Sequence, residues 1–289
     1  MKIWIKGARL RTLPLAVAPV IMGAGTAYSA NKFNLTLVLL ALLVALFLQI
    51  GVNYANDYSD GIRGTDKNRV GPKRLTGGGL AKPKAVLFAA FICFGLAGVF
   101  GLVITFLTGQ YWFIVLGLVC IVAAWFYTGG KKPYGYIGFG EVVVFVFFGL
   151  VATIGTDYIQ VLDLNILSIF AGCMAGCFAT AVLLINNIRD IDTDKASNKK
   201  TLASRIGRKP ALVIFALLLL APFVLLTPFW LVAPATFIVN LLLIPVVIII
   251  LIATSAKTPK ELILALQLTS YTSLLFAIGF TWGLVNVTF

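Results

Sequence analysis

Nine stretches of this chain are long enough and apolar enough to cross a bilayer, which takes about 20 residues of helix. They run over 10–30, 35–55, 84–108, 111–128, 139–156, 165–188, 210–228, 232–253 and 267–287. Backbone in lipid must satisfy its own hydrogen bonds, so a chain with this many apolar runs is expected to fold as an all-α bundle of about nine transmembrane helices. The seventh and eighth runs are divided at Thr227-Pro228-Phe229-Trp230 and Pro234. Proline ends a helix and tryptophan favours the membrane interface. With 60% of its 289 residues hydrophobic, the chain does not have the composition of a soluble domain.

Charge sets the orientation. The formal net charge is +13, but the basic residues lie between the apolar runs, not along an amphipathic stripe, so nucleic acid is not expected as a partner. If the N-terminus faces the cytoplasm, 22 of the 23 Lys and Arg residues fall on the cytoplasmic side, and only Lys32 does not. This asymmetry follows the positive-inside rule and predicts a multi-pass cell-membrane protein with its long loops, 57–84 and 189–209, in the cytoplasm. Cys93, Cys120, Cys173 and Cys177 all lie in apolar runs and the chain has no histidine, which excludes the usual zinc sites and leaves the cysteines as buried apolar residues. No secretory cleavage site follows the first run.

Those two loops open on acids. Six of the ten acidic residues fall in two clusters, each closing an apolar run. The first holds Asn53, Asn56, Asp57 and Asp60, with Asp66 beyond; the second holds Asn186, Asn187, Asp190, Asp192 and Asp194. Carboxylates at the membrane boundary are costly and mark function by default. Asn53, Asp57 and Asp60 are spaced i, i+4, i+7, and Asn187, Asp190 and Asp194 are spaced i, i+3, i+7, so each set shares a helix side. Asp192 is expected to point away. A helix C-terminus repels anions, so carboxylates there make sense around a hard cation such as Mg²⁺, which takes one or two carboxylates, waters and phosphate oxygens. Nearby Arg63, Arg69, Lys73, Arg74, Lys131, Lys132, Arg189 and Lys200 are candidates to clamp a diphosphate. Gly77-Gly78-Gly79 has no GK[ST] after it and reads as a turn. The two run-plus-cluster units, 35–84 and 165–209, form a weak internal repeat within one domain over 1–289.

At these residues the chain resembles the UbiA superfamily of intramembrane prenyltransferases. The family's NDxxDxxxD-type motif appears as Asn56-Asp57-Tyr58-Ser59-Asp60, and its DxxxD motif as Asp190-x3-Asp194. Gly64 stands where the first motif has its third Asp, with Asp66 two residues on. That departure resembles the menaquinone branch, as do Arg11-Thr12-Leu13-Pro14, Gly71-Pro72-Lys73-Arg74-Leu75, Tyr127-Thr128-Gly129-Gly130 and Asn186-Asn187-x-Arg189-Asp190.

The resemblance implies a helical bundle around one large cavity, capped by the two motif loops, and an Mg²⁺-dependent reaction. A polyprenyl diphosphate would donate its chain to 1,4-dihydroxy-2-naphthoate, with loss of CO₂ and diphosphate, giving demethylmenaquinol. It implies Asn56, Asp60, Asp66, Asp190 and Asp194 as metal ligands and Asp57 and Lys131 beside them in catalysis. Asn53, Tyr134, Glu141, Asn186, Asn187, Arg189 and the basic clamp would bind substrate, with Arg9 and Arg11 as further candidates for the acceptor carboxylate. Glu141 is an acid inside an apolar run away from the motifs; it would hold a ring hydroxyl or simply snorkel. Two alternatives stand: a related transferase with another aromatic or lipid acceptor, and a cation or metabolite transporter. Acids at helix ends, on one side, count against the transporter.

Overall fold

The computed structural model describes residues 2–65 and 71–286. Asp66 and Arg69, among the expected site residues, lie outside the described residues.

Each of the nine expected runs carries a helix. A short helix α1 (Lys2–Ala8) continues through a single turn at Leu10–Thr12 and meets α2 (Pro14–Ser29) across a break, the segment Lys2–Thr12 being bent by 53° from α2. Arg9, at the break, has a left-handed backbone (φ 55°), and Pro14 starts α2, where its missing N–H costs nothing. Then come α3 (Leu35–Arg63), α4 (Pro83–Thr108), the shorter α5 (Trp112–Phe126), α6 (Gly140–Val161) and α7 (Ile166–Arg189). Two short loop helices, α8 (Ile191–Ala196) and α9 (Leu202–Ile206), precede α10 (Arg208–Val232), α11 (Pro234–Ser255) and α12 (Pro259–Val285). The boundary between α10 and α11 falls at Ala233-Pro234, inside the expected division. Seven of these helices are long and apolar enough to span a membrane alone, and the bent α1–α2 pair makes an eighth. The 15-residue α5 is shorter than a full span.

Helix α3 has 29 residues, about 44 Å at 1.5 Å per residue, against a hydrocarbon core of about 30 Å. The helix is thus longer than the hydrocarbon is thick, and its last turns hold the Asn/Asp cluster. Asn34 caps its start, accepting the Leu37 N–H at 3.2 Å, and Gly64 closes it in a left-handed turn.

Helix α7 forms the centre of the bundle. It packs on α2, α6, α10 and α12, and Met174, Phe178, Leu184 and Ile185 are buried along it. Small residues bring α6 onto it: a Cβ on Gly149 would strike the Cα of Gly176 and the carbonyl of Gly172, the close approach that small residues allow in membranes. Around this contact, residues Phe145–Val151 of α6 form a π-helical stretch, a feature frequent at functional sites. Outward faces stay apolar: Phe88, Phe106, Val224 and Leu231 are exposed, as lipid contact requires.

Candidate active site

A cavity of about 340 Å³ opens between α2, α3, α5, α6 and α7. Its walls are apolar, with Leu48, Phe113, Leu116, Phe147, Phe148 and Ile159 among them. Its polar end is built by the two motif helices: Asn53, Asn56 and Asp60 from α3, and Asn186 and Asn187 from α7, with Arg9, Arg74 and Lys199 beside them. A second, small polar pocket of about 20 Å³ adjoins this end, lined by Asp60, Asp190, Asp194, Thr193, Lys199 and Tyr136. That is room for about one water or ion. The structure thus brings Asp60, Asp190 and Asp194 around one pocket, and Asp60 and Lys199 line both spaces.

Helical phase decides which motif residue faces where. Asn53, Asn56 and Asp60 face the cavity; Asp57, one step of about 100° from Asn56, does not line it. Asp57 Oδ1 accepts from Arg9 and from Arg74, and Oδ2 accepts the Leu75 N–H at 3.1 Å. The carboxylate, 2% exposed, ties the α1–α2 break and the 71–82 loop to α3. Asp57, expected among the catalytic groups, holds these two arginines in position and does not line the cavity.

The other side chains are held by neighbours. Asn56 Oδ1 accepts from the Thr128 hydroxyl at 2.7 Å, and Asn53 Nδ2 donates to the Ala8 carbonyl at 3.0 Å. The Tyr136 hydroxyl donates to Asp60 Oδ1 at 2.7 Å. Arg189 donates to both carboxylate oxygens of Asp190, at 2.7 and 2.5 Å, and to Asn186 Oδ1 at 2.9 Å. Asp194 pairs with Lys199 Nζ at 3.4 Å and accepts from the Thr201 hydroxyl at 3.2 Å. Burial raises the Asp194 carboxyl above its usual range, with Lys199 opposing that shift. Burial, and then the neighbouring Asp60 charge, push the Tyr136 phenol well up, so it stays a donor. Asp192 is exposed, on the side expected for it.

Several expected clamp residues stand elsewhere. Arg63 donates to the carbonyls of Thr128 and Gly130 and stacks its cation 5.3 Å from the Tyr136 ring centre; it fastens the end of α3 to the turn after α5. Lys73, Lys131, Lys132 and Lys200 are exposed and line neither space. Tyr134 lines the cavity and donates to the Ala123 carbonyl at 2.6 Å. Glu141, in the first turn of α6, is buried against Asn187, whose Nδ2 donates to its Oε1 at 2.9 Å.

Lys199 and Tyr136 belong to the site and were not anticipated; Thr128 and Thr201, which hold Asn56 and Asp194, were not among the expected site residues. Lys199 turns back because Asn198 takes a left-handed backbone (φ 59°) and the Lys199 N–H closes on the Asp194 carbonyl at 2.8 Å. Asn in that conformation is the signal that sequence offers.

The donor set fits Mg²⁺. All candidate ligands are oxygens, and three carboxylates surround an ion-sized pocket. Among the described residues no three acids stand close enough to make a protein-only metal cage, consistent with an ion that keeps waters and takes phosphate oxygens.

Comparison with known proteins places the family and the fold. Residues 16–269 match the UbiA prenyltransferase family. The chain is 52% identical over 218 residues to the 1,4-dihydroxy-2-naphthoate octaprenyltransferase of Mycobacterium leprae, covering 75% of this chain and 74% of that one. Its fold is that of a UbiA homolog from Aeropyrum pernix K1, with a TM-score of 0.70 at 14% identity, covering 93% of this chain and 96% of that one. It also matches a UbiA homolog from Archaeoglobus fulgidus bound to DMAPP and Mg²⁺, with a TM-score of 0.62 at 17% identity over 96% of this chain and 99% of that one.

Proposed function

The chain belongs to the UbiA prenyltransferase family, and from that premise we propose that it transfers a polyprenyl chain from its diphosphate to 1,4-dihydroxy-2-naphthoate, releasing CO₂ and diphosphate and giving demethylmenaquinol. The observation that carries this reading is the junction of an acid-lined, ion-sized pocket with a long apolar cavity, through Asp60 and Lys199. A polyprenyl diphosphate has the same two halves. The named activity of the Mycobacterium leprae relative supplies the acceptor.

Asp60, Asp190 and Asp194 would hold Mg²⁺, with Asn56 beside them and Asp66 as a further ligand. Mg²⁺ would supply positive charge against the charge that builds on the departing diphosphate. Lys199 would donate to the diphosphate oxygens from the wall of both spaces. Arg9 and Arg74, fixed by Asp57, would add positive charge at the cavity's polar end. The apolar walls seat the prenyl chain and keep water from the allylic carbon, and the rings of Phe147, Phe148 and Tyr134 offer π faces to the positive charge that develops there. The electron-rich naphthalenediol then attacks that carbon itself, so the protein needs no nucleophile of its own. The basic asymmetry of the loops supports a cytoplasmic N-terminus and cytoplasmic motif loops.

The test uses purified protein in detergent with a polyprenyl diphosphate and Mg²⁺. One reaction receives 1,4-dihydroxy-2-naphthoate and another 4-hydroxybenzoate, and prenylated product and CO₂ are followed. Product with the naphthoate alone, lost on adding EDTA, supports the reading; product only with 4-hydroxybenzoate overturns the acceptor.

A further inference from the structure

Glu141 is an unusual group to find inside an apolar helix. It is 7% exposed, at the start of α6, where the helix dipole favours an anion. Its Oε1 accepts from Asn187 Nδ2 at 2.9 Å, while its Oε2 is buried with no hydrogen-bond partner among the described residues. Glu141 does not line the cavity; Asn187 does. An amide can present either its oxygen or its nitrogen, and a carboxylate accepts only. Pairing with Glu141 therefore commits the Asn187 nitrogen to α6 and leaves Oδ1 as the group available to the cavity, which Asn187 lines together with Asn186 and Lys199.

We propose that Glu141 is a positioning residue that locks the Asn187 amide so that its oxygen reads a ring hydroxyl of the acceptor. The pair thereby selects hydroxylated naphthoates over analogues in which that hydroxyl is capped. This deepens the acceptor reading given above and rests on it. An analogue that cannot donate leaves the Asn187 oxygen buried and unpaired, and sites built to bond a hydroxyl reject such analogues strongly.

The experiment compares the wild type, E141A and E141Q with 1,4-dihydroxy-2-naphthoate and its two mono-O-methyl ethers. The acceptor and the polyprenyl diphosphate are varied in turn, with the other substrate and Mg²⁺ saturating. Wild-type turnover of the diol is measured first; its absence would fail the acceptor reading and not this inference alone. With wild-type turnover present, E141A is expected to raise KM for the diol about tenfold or more and leave KM for the polyprenyl diphosphate unchanged. It is also expected to shrink the preference for the diol over one mono-ether, because a released amide can turn its NH₂ toward the ether oxygen. Gln keeps an acceptor for Asn187, so E141Q is expected to restore most of the preference. N187L, which has no amide to turn, is expected to lose the diol preference without regaining it in the E141Q background. A uniform fall in kcat for diol and ethers, with the preference intact in E141A, would overturn the proposal, as would equal changes in both KM values.

Discussion

The Tyr136 hydroxyl donates to Asp60 Oδ1 at 2.7 Å, joining the turn after α5 to the end of α3. One of the three pocket carboxylates is thereby aimed by a side chain 76 residues away. Outer partners of metal-binding carboxylates commonly matter 10- to 100-fold. Tyr136→Phe is expected to lower kcat/KM by about that factor and to raise the Mg²⁺ concentration needed for half-maximal rate, with thermal unfolding little changed. An unchanged Mg²⁺ requirement would show that the phenol does not act on the pocket.

Asp60→Ala and Asp194→Ala remove carboxylates from the ion-sized pocket, whereas Asp192→Ala removes an exposed one. Diphosphate release should fall about a thousandfold or more in the first two and little in the third. Near-normal release in Asp60→Ala and Asp194→Ala would end the metal-site reading.

Asp57 contributes differently. Removing it leaves Arg9 and Arg74, 22% and 10% exposed, without the carboxylate they share. Losing one partner of a buried ion pair costs about 3–5 kcal/mol, discounted here for the partly exposed Arg9. Asp57→Ala is expected to lower the unfolding temperature in detergent clearly more than Asp192→Ala. Equal unfolding temperatures would show that the two arginines are held by something else.

The pH dependence follows from Asp194. Its carboxyl is raised by burial, so without metal the folded state favours the neutral form. That contribution is fully present below the ordinary Asp value of about 3.9 and is lost as pH rises through the raised value. Metal binding needs the ionised form. The gain in unfolding temperature on adding Mg²⁺ should therefore grow with pH across that window. Asp194→Asn should flatten the dependence; a dependence that persists there would assign it to another group.

The spans were legible because hydrophobic length is a strong signal in a membrane protein, and even the weak division at Pro228 to Pro234 marks a real boundary. The carboxylates that share the ion-sized pocket, Asp60, Asp190 and Asp194, were also legible, as acids in costly places. The pairing of Asp57 with two arginines was not, since Asp57 and Asn56 differ by a rotation that only the packing of Arg9 and Arg74 resolves. Lys199 and Lys200 are neighbours of one chemistry, and a single backbone torsion at Asn198 decides which one returns to Asp194. Tyr136 and Thr128 act across the fold, at sequence separations of 76 and 72 residues from their partners, which no local pattern reports.

The π stretch of α6 has a consequence for how this protein can change. It lies between Glu141, next to Asn187, and the cavity wall at Thr156 and Ile159. A regular helix advances about 100° per residue, so deleting or inserting one residue within Phe145–Val151 would turn one half of α6 against the other. Either the acid would leave its asparagine or the wall would leave the cavity. The residue count of this segment therefore sets two contacts at once, the acid on its asparagine and the wall on its cavity.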